Sequence, residues 1–210
     1  LGKALSTPDH LIDGIQSGVE EAGGDWQTAN LFLHGSTIAI NTMLERTGAK
    51  VALFTTQGFR DIYEIGRINR PDSFNLFFRK HVPLVERALR LEVPERLRVD
   101  GSVHVPLDMA AVEKLADRCE REGVEAIAIL FLHSYINPDH EIRVRDYLRA
   151  RFPDVFVTAS HELSQEYREF ERTSTVAANA YVGPRVRTYL DQIERVLAKN
   201  AFTGNFMIVQ

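Results

Sequence analysis

Apolar positions along the chain change period several times, and each change marks an element. Leu11, Ile12, Ile15 and Val19 recur at helical spacing behind Ser6-Thr7-Pro8, a hydroxyl cap followed by proline in the first turn, and Gly23-Gly24 closes the run. Leu31-Phe32-Leu33 is a short apolar run of strand type. It passes through His34-Gly35-Ser36-Thr37 into a helix carrying Ile40, Met43 and Leu44 as far as Gly48, and residues 50–55 read as the next strand. Residues 29–56 therefore predict a strand-helix-strand unit of one sheet.

Residues 57–88 hold no clear period. They mix Gly, Pro, Asn and Arg with the aromatics Phe59, Tyr63, Phe74, Phe77 and Phe78, and an irregular stretch of that length is more often functional than idle. Residues 89–107 alternate around Asp100-Gly101, which predicts a hairpin. Asp108 starts a helix to Glu122 with Val112, Leu115, Ala116 and Cys119 on one face. The long apolar run at 124–132 predicts a central strand. Pro138 opens a helix to Arg151, and Val155-Phe156-Val157 is a further strand. The last forty residues are mostly helical, with an apolar stripe of Val186, Tyr189, Leu190, Ile193 and Leu197 that Gly183-Pro184 is expected to kink or divide. The final apolar residues, from Phe206, read as a strand in need of a partner, and both ends give the expectation that the natural protein continues.

The 210 residues, 44% hydrophobic and 26% charged, suit one large or two small domains with a real core. A division at 1–107 and 108–183 is expected, with 184–210 leading onward. Lys and Arg total 25 against 29 Asp and Glu, a net charge of −4 that argues against nucleic acid as the main partner. The lone Cys119 forms no internal disulfide and reads as a core thiol. No apolar run reaches membrane-span length and no secretory signal opens the chain, so a soluble, cytoplasmic protein is expected.

Common chemical signatures are missing. There is no Gly-rich nucleotide loop, no paired-Cys zinc pattern and no Gly-x-Ser-x-Gly; His161-Glu162 begins a two-His zinc motif, but position 165 is Gln. Three constellations remain. His34-Gly35-Ser36-Thr37 with Asn41 lies where a strand meets a helix start, so hydroxyls and free N–H groups there either hold an anion or merely cap the helix. Residues 55–61 with Glu64, Arg67, Asn69 and Arg70 follow a strand end; the arginines either clamp a carboxylate or phosphate or belong to a solvated loop. His161-Glu162, Glu166 and the run from Arg168 to Thr175, with Asn179, offer carboxylates for a base or metal, or ordinary i,i+4 ion pairs. His133 and His140 flank the turn at Asn137-Pro138-Asp139, where caps compete with a metal pair.

A set of phrases goes further. His34-Gly-Ser-Thr-Ile-Ala-Ile-Asn-Thr-Met-Leu-Glu45, Thr55-Thr-Gln-Gly-Phe-Arg-Asp61, Glu64-Ile-Gly-Arg-Ile-Asn-Arg-Pro71, Val93-Pro-Glu-Arg96, Phe131-Leu-His-Ser-Tyr-Ile-Asn-Pro138, Ser160-His-Glu162 and Tyr167-Arg-Glu-Phe-Glu-Arg-Thr-Ser-Thr175 with Asn179-Ala-Tyr181 occur in one order. In that order the chain resembles the N-terminal region of the hydantoinase A/5-oxoprolinase family. One departure is Ser36, where the family usually has Thr; the hydroxyl is kept. The resemblance implies an α/β fold, part of an actin-like ATPase (ribonuclease H-like) domain with a mixed sheet and flanking helices. It implies ATP-dependent opening of a cyclic amide such as a hydantoin or 5-oxoproline, or the ATP-using role of an acetone-type carboxylase subunit. A divalent metal (Mg or Mn), a B-type partner subunit or domain and an oligomer come with it. It also implies that phosphate loops flank this stretch on both sides, so that the segment alone is inactive or serves only as a structural or interaction module. On position, His34 and Glu171 are expected as catalytic groups, Ser36, Thr37 and Asn41 near the nucleotide or metal, and Arg67, Asn69, Arg70 and Arg172 near the substrate.

Overall fold

The computed structural model describes residues 1–4, 11–67, 74–78 and 82–209. They form two compact units: Leu1–Glu45 with Arg185–Gln210, and Arg46–Pro184. The expected division at 107/108 does not coincide with a boundary, because strands from both sides of it share one sheet.

In the larger unit β2 (Val51–Thr56), β3 (Arg90–Val93), β6 (Ala126–Leu130) and β7 (Phe156–Ala159) form a parallel sheet in the order β3-β2-β6-β7. Every residue of β2 and β6 is buried. Their sequences, Val-Ala-Leu-Phe and Ala-Ile-Ala-Ile-Leu, are continuous apolar runs, as strands covered on both faces require. The cover comes from α4 (Met109–Arg121), α5 (Asp139–Arg151) and the first part of α7 (Glu169–Lys199), whose buried residues include Val112, Val144, Leu148, Val176, Ala177 and Ala180. Asp108 caps α4 by accepting from the Ala111 N–H at 3.0 Å. The α/β class with flanking helices is thus as expected. The main sheet, however, is wholly parallel; among the described residues antiparallel pairing is confined to a separate hairpin of β4 (Arg96–Leu97) and β5 (Val103–Val105). The alternating run at 89–107 is therefore split, its first strand joining the main sheet and the rest turning at Asp100-Gly101, where Gly101 sits at φ +81°.

The smaller unit holds α1 (Leu11–Glu21), β1 (Leu31–Gly35), α2 (Ile38–Leu44), the end of α7 and β8 (Asn205–Val209). The expected cap of α1 at Ser6-Thr7-Pro8 lies outside the described residues. β1 pairs in parallel with β8, Leu31 opposite Asn205 through Gly35 opposite Val209. This corrects the predicted unit at 29–56: β1 and β2 belong to different sheets. The partner of β1 is the C-terminal apolar run, too remote in sequence for local pattern to reveal. Tyr189, Ile193 and Leu197 of α7 form the core, against Ile12, Ile15, Trp26, Phe32 and Phe206. The helix is not divided at Pro184; it runs as one element of 31 residues. Glycine at 183 is required by packing, since a Cβ there would lie 2.4 Å from the Phe156 ring.

Candidate functional site

β2 is followed in the sheet by β3 on one side and by β6 on the other. The order reverses there, and ligands of open α/β sheets gather beyond the carboxyl ends of such strands. A buried polar network occupies that end. Thr56, the last residue of β2, donates through Oγ1 to Glu95 Oε1 and accepts from the Leu132 N–H at 3.0 Å. Glu95 Oε2 meets His140 Nδ1 at 2.8 Å. Thr56, Glu95 and His140 are all buried. Beside them, Glu141, wholly buried, takes the Phe131 N–H (2.8 Å), Ser160 Oγ (2.7 Å), the His161 N–H (3.0 Å) and His161 Nδ1 (2.7 Å).

Arg172 closes this network. It is 1% exposed and donates from Nη1 to Ser134 Oγ at 2.6 Å, to Ser160 Oγ at 2.9 Å and to the Phe131 carbonyl at 3.2 Å. It also stacks over Tyr135 at 5.5 Å. Burial lowers its pKa, and the negative potential of Glu141 and Glu169 opposes the shift. A cation so enclosed is held by satisfied acceptors and a nearby carboxylate linked through Ser160. Arg67, by contrast, is a surface residue: its Nε and Nη2 donate to the two oxygens of Glu171 at 2.7 and 2.6 Å. That fork holds the Glu171 carboxyl below its ordinary pKa. Asn69 and Arg70 lie outside the described residues. The structure thus joins Arg67 to Glu171 and buries Arg172 separately.

In the smaller unit His34 Nε2 lies 2.6 Å from Tyr189 Oη. Burial lowers the His34 pKa and raises that of Tyr189, while a hydrogen bond with Ser36 pulls the phenol back down. Ser36 Oγ also accepts from the Ile38 N–H at 3.3 Å, and Asn41 Nδ2 donates to Thr37 Oγ1 at 3.4 Å. His34, Ser36 and Tyr189 therefore form one cluster, and Thr37 with Asn41 a second contact one turn along α2.

Sequence reasoning did not single out Glu95, Glu141 or Tyr189. The available signals were Glu95 inside the Val93-Pro94-Glu95-Arg96 phrase and a glutamate placed where α5 must be apolar. His161 and Glu162 were noticed together: His161 faces Glu141 through Nδ1, Glu162 pairs with Arg145 and Arg149, each at 3.0 Å, and Arg145 Nη1 also reaches His161 Nε2 at 3.2 Å. Cys119 is a buried thiol pushed up to about 12 by desolvation, so it carries no nucleophile. Among the described residues no group of three or more His, Cys, Asp or Glu could hold a metal ion, and no helix is long and apolar enough to cross a membrane.

The profile of the hydantoinase/oxoprolinase N-terminal region matches residues 1–152. The chain belongs to this hydantoinase/oxoprolinase family. A caprolactamase subunit alpha from Pseudomonas jessenii is 39% identical over 205 residues, covering 92% of this chain and 29% of that protein. The crystal structure of the ATP-dependent caprolactamase from Pseudomonas jessenii superposes with a TM-score of 0.86 at 32% identity, over 98% of this chain and 31% of that one. A nucleotide-free acetone carboxylase, from work on ATP-dependent acetone carboxylation, superposes at 0.84 with 27% identity over 99% of this chain and 32% of that one. The α/β architecture is shared with both, in keeping with an actin-like domain. The chain spans less than a third of each of these proteins.

Proposed function

We propose that this chain is a segment of a cytoplasmic, ATP-dependent enzyme that opens a cyclic amide of the hydantoin, 5-oxoproline or lactam type. The observation that carries the reading is the superposition, over 98% of the chain, on an ATP-dependent caprolactamase within a family described by hydantoinase and oxoprolinase. ATP, when bound in such an enzyme, supplies the driving force by activating the carbonyl, a task for positioned donors and a metal ion. The residues described here do not by themselves fit a complete nucleotide and metal site. They supply no metal cluster, and the Ser36 and Thr37 hydroxyls are engaged by Ile38, Tyr189 and Asn41. ATP and its Mg or Mn are accordingly assigned to the whole enzyme.

This chain's residues are given narrower roles. His34, kept neutral by partial burial and held at Nε2 by Tyr189, is the proton-handling group, with Nδ1 as the atom left to trade a proton. Ser36, Thr37 and Asn41 shape the loop beside it. Arg67, fixed by Glu171, orients substrate together with Asn69 and Arg70, and Arg172 secures the end of the larger sheet. A B-type partner subunit or domain and an oligomer complete the proposal, supported by the word "subunit" in the caprolactamase name.

The alternative is the ATP-using subunit of an acetone-type carboxylase, favoured by the 0.84 superposition on acetone carboxylase. The purified full-length enzyme separates the two. ATP hydrolysis stimulated by 5-oxoproline, hydantoin or caprolactam supports the first. Stimulation only by a ketone with bicarbonate overturns it. The 210-residue chain alone is expected to hydrolyse no ATP.

A further inference from the structure

Beside the switch point of the larger sheet lies a cleft of about 410 Å³ lined by Gln57, Glu95, Arg96, His104 and Val105. Its size suits a small molecule. The floor is rigid. Glu95 is 2% exposed, and its two oxygens are taken by Thr56 and His140, so the residue that precedes Arg96 is anchored to β2 and α5 at once. The Gln57 N–H is tied to the Val93 carbonyl at 3.0 Å, and the Gly58 N–H to Glu92 Oε1 at 2.7 Å with Gly58 at φ +88°. Both rims of the cleft are thereby fixed to the sheet.

The groups presented to the cleft are donors. Arg96 forms no ion pair among the described residues. Its guanidinium lies over the Phe59 ring at 4.7 Å, which occupies the flat face of the group and leaves its in-plane N–H fork available. Leu97, the next residue, is 1% exposed. Arg98, two residues on, reaches His104 Nδ1 at 3.0 Å. An arginine donating to Nδ1 fixes the neutral tautomer that carries its proton on Nε2, a second donor for the cleft. The Gln57 amide adds a third. The lining carboxylate, Glu95, is buried and has both oxygens engaged from within, so it offers the cleft no free acceptor.

We infer that this cleft is a binding site for a small oxyanion, the carboxylate or phosphate of a compact ligand, with Arg96 as its fork and His104 Nε2–H and the Gln57 amide as further donors. It does not depend on the proposed amide chemistry. Glu95 acts as a positioning residue that holds Arg96 in place.

The test is titration of the purified chain with glutarate and with inorganic phosphate at constant ionic strength set by chloride, read by calorimetry and by the His104 ring signals in NMR. The site predicts saturable one-to-one binding of at least one probe, with the His104 signals shifting at the same midpoint. Binding of phosphate alone assigns a phosphate-bearing ligand, and binding of glutarate alone a carboxylate; either supports the site. Arg96→Gln should weaken binding by about tenfold or more with an unchanged melting temperature, and Arg96→Lys should recover only part of it. Should Arg96→Gln melt early, His104→Ala on the exposed strand β5 replaces it and should weaken binding severalfold. No saturable binding of either probe, or equal affinity in the folded variants, overturns the site.

Discussion

In the larger unit β2 and β6 are buried along their whole length, and the polar side chains at their ends are knitted into a closed network. In the smaller unit β1 and β8 only half-bury alternate residues; Leu31, Leu33, Met207 and Val209 are each more than half exposed, and His34 is held chiefly by a single phenol. Both units contain a parallel strand pair of five residues with similar apolar content, yet one is a core and the other a thin layer. The difference lies in what covers each strand, since an apolar side chain contributes about 1.5–3 kcal/mol only when it leaves water. Stability is therefore concentrated in the larger unit, and the smaller one keeps its candidate chemical group accessible.

The sharpest way to break this contrast is Arg172→Ala. It leaves Glu141 without its balancing cation and strips Ser134 and Ser160 of a donor, so a loss of about 3–5 kcal/mol is expected from denaturant unfolding. A stable Arg172→Ala protein that loses only substrate affinity would instead make Arg172 a binding residue. Next comes Ile129→Ala in β6, which should cost about 2–5 kcal/mol by cavity formation. The equivalent truncation of Leu33 on β1, at 59% exposure, should change stability by no more than about 0.5 kcal/mol. Equal losses at the two positions would mean that the face of β1 is covered.

Acid sensitivity gives a smaller effect with a definite sign. The folded pKa of His34 is below its ordinary 6.5. Below pH 6.5 the unfolded chain therefore binds more protons than the folded one at this residue. Its contribution is full above pH 6.5 and falls as pH drops through that value toward the folded pKa. Melting temperatures measured from pH 7.5 to 5 should fall less in His34→Gln than in the parent chain.

Much of this contrast could be read from residue order, and some could not. The uninterrupted apolar run of β6 announced a central, covered strand, and Asp108 announced the start of α4, because a cap and a period are local. The pairing of β1 with β8 could not be read, since parallel register between residues 31–35 and 205–209 leaves no local trace. The same limit hid the site. Arg67 and Glu171 were named separately but their bidentate pairing spans 104 residues, and Glu95 with His140 spans 45. Arg172 was named for its place in the ordered phrases, whereas it is buried against Phe131, Ser134 and Tyr135 after β6 and against Ser160. At Gly183-Pro184 the local rule for proline offered a kink or a division, and α7 continues through it as one helix of 31 residues.

The account's central claim is a division of labour, with chemistry beside His34 and stability in the larger unit. His34→Ala in the full-length enzyme, measured as turnover per folded molecule beside its melting temperature, tests it directly. Turnover should fall by about tenfold or more, while the lost bond to Tyr189 costs only about 1 kcal/mol of stability. A melting temperature lower by many degrees, with activity per folded molecule unchanged, would make His34 a structural residue and contradict the account.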